Sequence, residues 1–377
     1  MRRFSLFALI LMLLMPLFPM ACAEDEPLDE RPVQYTAIAY TKISLRKEPR
    51  SGAHQSGTAP RFRTVEVLEY GEKWSYIRYK SKEGWGQTRY LWGFVATDPF
   101  SGPPPRFEPC AGFVTLSTDT SVKGGKFGGL TALKGSVLAV FGEDLSLPVW
   151  RGSATLPAGC GEYRAFADWQ TAQPGDIIAG FTTYYNDRTG APLHKERRHN
   201  IELAAEKVTG TVVEPGGAFS FRDALGPLSV DNGYQVAPNI SKSGKGPGGG
   251  VCQVSTTLYN ALLHVPLKIT EWAAHQESGV KYIKKGFDSA IGSRTDLRFE
   301  NTLPYPVLIR VMTQGGALTV TLARAEAATV KAAEPETQTE TDTDTEAGTQ
   351  ADSGADHEPE ADGMTEKNGG DDVTVTD

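Results

Sequence analysis

Residues 248–263 read Gly248-Gly249-Gly250-Val251-Cys252-Gln253-Val254-Ser255-Thr256-Thr257-Leu258-Tyr259-Asn260-Ala261-Leu262-Leu263. A glycine-rich loop, Ser241–Gly250, runs into a helix predicted over Gln253–His264, with Val254, Leu258, Ala261 and Leu262 at helical spacing. Cys252 falls in the first turn. Free N–H groups and the positive dipole end favour a thiolate there, and the glycines allow a tight bend and close approach of a substrate. The competing reading of Cys252 is a buried small hydrophobe.

Working outward, strands are expected at Ile177–Tyr185, Pro215–Phe221, Leu267–Trp272, Leu297–Phe299, Pro306–Val311 and Ala317–Leu322. A helix is expected over Asn200–Gly210, with Ile201, Ala204, Ala205 and Val208 on one face. Residues 166–325 therefore read as an α+β domain with a mainly antiparallel sheet.

Upstream, residues 35–98 alternate short β-rich runs (Tyr35–Tyr40, Thr64–Tyr70, Trp74–Tyr79, Leu91–Val95) with turn signals such as Lys82-Glu83-Gly84. This is the pattern of a small all-β barrel, with Trp74, Trp85 and Trp92 expected in its core. Residues 24–34 read as a linker and 99–109 as a Pro-rich spacer. Residues 110–165 are β-like again (Gly112–Leu116, Ser136–Phe141, Pro148–Ser153) and are a candidate second, diverged barrel. The fold class is thus multidomain: all-β first, α+β after.

The chain of 377 residues opens with Arg2-Arg3, an apolar run Phe4–Met20 and Ala21-Cys22-Ala23. That reads as a secretory signal peptide, 1–23, cut after Ala23. A lipid-modified Cys22 and an uncleaved anchor are the rivals. No later segment is apolar and long enough to span a bilayer. A secreted, extracytoplasmic location follows as an expectation. From Glu326 the sequence has 16 acidic residues and two lysines, net −14, and little apolar content; 326–377 is read as a disordered acidic tail. The remainder carries +6, a mildly basic balance that suits an anionic wall polymer or membrane surface. No basic stripe with interleaved aromatics points to nucleic acid.

After the signal, three cysteines remain: Cys110, Cys160 and Cys252. At most one pair forms, with Cys110 and Cys160 the candidates and Cys252 left free; the alternative is that none pairs. A cysteine nucleophile needs a base and often a group that orients it. His264 closes the helix that Cys252 opens, about 18 Å away at 1.5 Å per residue, and reads as a partner of the C-terminal dipole. His194, His199 and His275 remain. His199 reads as a capping or surface residue, whereas His275, after a strand, is placed to reach back to the helix N-terminus. Asp288 and Asp296 are the candidate orienting carboxylates, each with an alternative role in a turn. Ser255 and Thr256 could bond a substrate or satisfy local backbone. No ligands stand at zinc spacing, so no metal or other cofactor is expected.

Two resemblances follow. Residues 35–98 resemble a bacterial SH3-like domain, through Ile43-Ser44-Leu45-Arg46-Lys47-Glu48-Pro49, Trp74-Ser75-Tyr76-Ile77-Arg78-Tyr79, and Gly84-Trp85-Gly86 before Leu91-Trp92-Gly93-Phe94-Val95. Residues from about 177 to 313 resemble a VanW domain, a family named for its occurrence in glycopeptide-resistance clusters. The matching stretches are Arg198-His199-Asn200-Ile201, Pro215-Gly216-Gly217-Ala218-Phe219-Ser220-Phe221, Gly248 through Ala261, His275, Tyr282, Gly286, Asp288, and Asp296 through Thr302.

The second resemblance implies cysteine-dependent L,D-transpeptidase chemistry on peptidoglycan. Cys252 would be nucleophile and His275 base; Asp288 is taken as the third catalytic residue, with Asp296 its rival. Gly249, Gly250, Gln253, Ser255, Thr256 and Tyr282 would line the substrate site. The first resemblance implies a tether to the wall. One departure stands out: better-known cysteine L,D-transpeptidases place the histidine before the cysteine, whereas His275 follows Cys252. The alternative is a non-catalytic peptidoglycan-binding or scaffolding protein.

Overall fold

Polar residues at 253, 255–257 and 260 should give the Cys252 helix a wet face, yet in the computed structural model every residue of Val251–Leu262 is buried except Cys252. The reason lies in what surrounds it. The structure describes residues 30–122, 130–185, 194–239, 244–275 and 280–326. The signal-peptide and acidic-tail expectations fall outside them. Among the described residues no helix is long and apolar enough to cross a membrane.

The first part is all β. Strands β1 (Tyr35–Ala39), β2 (Ile43–Arg46), β3 (Gln55–Ala59), β4 (Arg63–Glu69), β5 (Trp74–Tyr79), β6 (Lys82–Gln87) and β7 (Leu91–Ala96) form one antiparallel sheet in the order β3-β2-β6-β5-β4-β1-β7. Alternation along each strand sends Ala39, Leu45, Val67, Ile77 and Leu91 inward, where they are fully buried with Phe94. The tryptophans are not in this core. Trp74, Trp85 and Trp92 are half-buried on its outside, with Trp92 stacked on Tyr40 at 3.6 Å and Trp85 edge-on to Tyr76. Small aliphatic side chains already fill the interior, which leaves no room for an indole.

In the second part, β8 (Gly112–Leu116) lies between β11 (Val137–Val140) and β12 (Gly161–Ala165), beside a hairpin of β9 (Thr120–Val122) and β10 (Leu130–Ala132). The stretch Pro148–Ser153 forms no strand; a single bridge, Ser146 to Thr155, stands near it. Val114, Leu116, Leu138 and Val140 make a small core that also takes in Tyr184 and Ala317 from the sheet that follows. The Ala139 amide donates to Thr182 Oγ1 at 2.9 Å, and Thr319 Oγ1 donates to Val137 O at 2.6 Å.

The third part is α+β. Strands β13 (Ile177–Tyr184), β14 (Val212–Val213), β20 (Val307–Gln314) and β21 (Ala317–Arg324) pair in the order β13-β21-β20-β14. The smaller strands are β15 (Ala218–Ser220), β18 (Lys268–Glu271) and β19 (Arg298–Glu300), ordered β15-β19-β18, and the pair β16 (Val236–Pro238) and β17 (Lys245–Pro247). Helices α1 (His194–Val208) and α3 (Val251–Leu262) lie on the larger sheet, and the short α2 (Phe221–Leu225) is capped by Ser220. Helix α3 presses Val254, Leu258 and Ala261 into the core. Its polar side is covered by residues 287–291. Asn260 Nδ2 donates to Phe287 O at 2.7 Å, Ser255 Oγ donates to Ser289 O at 2.9 Å, and the Ser289 amide donates to Thr256 Oγ1 at 2.9 Å. Ser255, Thr256 and Asn260 each have a backbone partner in that segment, and that satisfaction is what permits their burial.

The seven-stranded sheet meets this part at Gly93 (φ +58°). A Cβ there would lie 2.0 Å from Trp272 Cη2, so only glycine admits the indole. Lys285 Nζ stands 4.0 Å from the ring centroids of both Tyr40 and Trp92.

Candidate active site

Helix α3 starts at a glycine because the chain needs one. Gly250 has φ +114°, and a Cβ would meet the Arg197 carbonyl at 2.9 Å and Arg197 Cγ at 3.0 Å. Gly250 thus lets α1 and α3 approach, and it places Cys252 in the first turn of α3 at the wall of a cleft of about 750 Å³. Arg197, Gly248, Gly250 and Gln253 face this cleft from one side; Ala273, His275, Tyr282 and Ile291 face it from the other.

Cys252 Sγ accepts a hydrogen bond from the Ile291 amide at 3.4 Å. His275 is held by Asp288. Asp288 Oδ2 accepts from both the His275 amide (2.8 Å) and His275 Nδ1 (2.7 Å), and the two side chains are only 9% and 2% exposed. With Nδ1 committed to Asp288, Nε2 is the ring nitrogen left over, and Cys252 shares the cleft with the imidazole. Burial alone would depress the basicity of His275. Hydrogen bonds to Asp288 and Cys252, and the negative charge of both, outweigh it and raise the pKa to about 9. Asp288 thus favours the imidazolium form of His275.

The other expected site residues divide. Gln253 and Gly250 line the cleft. So does half-buried Tyr282, whose phenol is driven up by desolvation and by the charge of Cys252, against a hydrogen bond to Thr256 and the charge of Arg197. Ser255 and Thr256 do not line it. Both are fully buried and bonded to the Ser289 backbone, so they fix the segment that carries Asp288. Gly249 is likewise internal: a Cβ would meet Ala237 O at 2.5 Å, and its carbonyl accepts from Asn200 Nδ2.

Asp296 is elsewhere, accepting from Ser220 Oγ, the Arg222 and Leu297 amides and Arg298 Nε. His199 lies inside α1, not before it, and bonds Gly233 O at 2.9 Å. His264 is no cationic dipole partner. Its Nδ1 donates to Asn260 O while Nε2 accepts from the Cys110 amide, and desolvation among Phe107, Phe166 and Phe181 lowers its pKa to about 4. Cys110 and Cys160 do not pair. Both are free and buried, in different hydrophobic clusters.

Sequence reasoning passed over Arg197. Its Nη2 donates to Gln253 Oε1 at 2.7 Å, on the cleft side of α1. The run Lys195-Glu196-Arg197-Arg198 looks like a solvated start to a helix, and nothing in its spacing marks one arginine as inward.

Residues 196–323 match the family model described as "VanW like protein". The chain carries a VanW-like domain. Two curated proteins are similar to part of this chain. The uncharacterized protein YoaR of Bacillus subtilis (strain 168) is 38% identical over 148 residues, 38% of this chain and 47% of that protein. Vancomycin B-type resistance protein VanW of Enterococcus faecalis (strain ATCC 700802 / V583) is 32% identical over 95 residues, 24% of this chain and 34% of that one. The match therefore spans less than half the length of either relative. The VanW-like domain contains Cys252, His275, Asp288 and Arg197, so the whole cleft constellation lies within the matched residues.

Proposed function

We propose that this chain is an exported cell-wall protein whose VanW-like domain is a cysteine-dependent L,D-transpeptidase acting on peptidoglycan stem peptides. One observation carries the reading: the single unburied residue of α3 is a cysteine that shares an open cleft with an imidazole held by a buried carboxylate. Deprotonated Cys252 attacks the carbonyl carbon of a stem-peptide residue and forms a C–S bond. The C–N bond to the terminal D-residue breaks, and His275 gives its proton to the departing amine. Neutral His275 then takes a proton from an acceptor amine on a neighbouring stem. The new C–N bond forms as the C–S bond breaks, restoring the starting pair. The Cys252 amide, at a helix start where N–H groups lack intrahelical partners, is the donor for the oxyanion. Residues 35–98, as an SH3-like module, hold the enzyme near its polymer. The relative named for vancomycin B-type resistance suits a role at the cell wall.

The test is direct. Purified full chain with stem tetrapeptides should form cross-links between third-position residues, and Cys252→Ala should lower the rate by about a thousandfold or more. A C252A chain that cross-links at the wild-type rate overturns the reading.

A further inference from the structure

Arg197 faces the Cys252 cleft with a neutral side-chain partner. Among the described residues no carboxylate pairs with it, and no Asp or Glu side chain lines the cleft it faces. Its one side-chain hydrogen bond there goes to a neutral amide, Gln253 Oε1. Gln253 is itself fixed: its Nε2 donates to Thr183 Oγ1 at 3.1 Å, and Thr183 bonds Thr257 at 2.8 Å. Gln253, Thr183 and Thr257 are all buried at 1% exposure or less. This relay orients the guanidinium through neutral groups, and among the described residues no carboxylate neutralises it. Desolvation acts against that charge, and Tyr282, Tyr185 and Cys252 only offset it. A partly desolvated cation, held rigid by neutral groups in an open cleft, suits a ligand anion that supplies what the fold withholds.

We propose that Arg197 is an anion subsite of the Cys252 cleft and takes the terminal α-carboxylate of the peptide whose carbonyl Cys252 attacks. This rests on the reading of Cys252 as nucleophile. The planar guanidinium has five N–H donors in a fork that matches a carboxylate, and Gln253 uses one of its terminal nitrogens. In the reaction above, the residue that leaves carries the α-carboxylate just beyond the bond that breaks. Arg197 therefore selects a free C-terminus and makes the enzyme remove one terminal residue rather than cut within a chain. A peptide with an amidated or extended end lacks that anchor.

Iodoacetate and iodoacetamide share one leaving group and differ in a carboxylate against an amide, so their rates on Cys252 separate the subsite from the nucleophile. In the full chain, with Cys252 followed by mass spectrometry, iodoacetate should react about tenfold faster than iodoacetamide, equivalent to about 1.4 kcal/mol. Arg197→Gln should abolish that preference, lowering the iodoacetate rate about tenfold more than the iodoacetamide rate, and Arg197→Lys should keep part of it. Reactive Cys252 with no carboxylate preference in the wild type, or equal loss of both rates in R197Q, overturns the subsite and leaves the nucleophile standing. Cys252 inert to both reagents overturns both. Should R197Q not fold, the wild type decides. N-acetylglycyl-D-alanine should protect Cys252 from iodoacetamide saturably and its C-terminal amide should not; equal protection by the two overturns the proposal.

Discussion

Two histidines flank α3, and the fold drives them in opposite directions. His275, at the Cys252 end, meets the Asp288 carboxylate and is raised to about 9. His264, just past the other end, meets three phenylalanine rings and two backbone groups, and is lowered to about 4. Desolvation acts against the charged form of both. What differs is the partner. A carboxylate rewards a second ring proton. The Cys110 amide, which needs an acceptor at Nε2, penalises one. One helix thus ends in a charged, open site and a neutral, closed joint, with Cys252 at the first and the free, buried thiol of Cys110, raised by desolvation, at the second.

Removing the carboxylate should make the two ends alike. Asp288→Asn leaves the buried imidazole without its counter-charge; we expect a loss of about 3 kcal/mol at neutral pH, read by urea unfolding. His275 should then titrate well below 9 by NMR. An unchanged His275 titration would show that Asp288 does not set it.

The two histidines should also shape stability against pH from opposite sides. His275, raised in the fold, contributes fully below about pH 6.5 and loses that contribution as pH rises through about 9. His264, lowered in the fold, favours folding above about pH 6.5, and this is lost as pH falls through about 4. Each limb is on the order of 3 kcal/mol. The alkaline limb should vanish in Asp288→Asn and the acid limb persist. Loss of both limbs in that variant would mean that the ends are not independent.

The seven-stranded sheet meets the His275 end through Gly93 and Trp272. Gly93→Ala forces a Cβ into Trp272 at a positive φ, at an expected cost of about 2 kcal/mol. NMR shifts should move for His275 and stay for His264. A smaller change, Trp272→Phe, removes the indole donor to Asp288 O (3.0 Å) and should cost about 1 kcal/mol in thermal unfolding. An equal response of both histidines to either variant would break the comparison.

Much of this was legible from residues alone. The strand at Trp74–Tyr79 and the helix that carries Cys252 follow from alternation and from helical spacing after glycines. Nothing local chooses between Asp288 and Asp296 as the partner of His275, since periodicity treats both carboxylates as turn residues; the fold brings Asp288 there. Ser255 and Thr256 take the second of their two expected roles, bonding backbone, and the partner is the part no local pattern shows. Polar side chains on a helix look like a surface, and here another segment of backbone, far along the chain, satisfies them. Trp85 and Trp92 misled because a small sheet filled by alanine, valine, leucine and isoleucine keeps its indoles outside.

The sequence by itself determined the two characters of the chain, the all-β start and the α+β domain, and it singled out Cys252, because glycine placement and hydrophobic period are local properties. Tertiary structure alone decided which histidine is charged, which polar residues face the cleft, and that Arg197 faces it with a neutral partner. Charge state and burial depend on groups brought together from distant parts of the chain, and no local pattern records them.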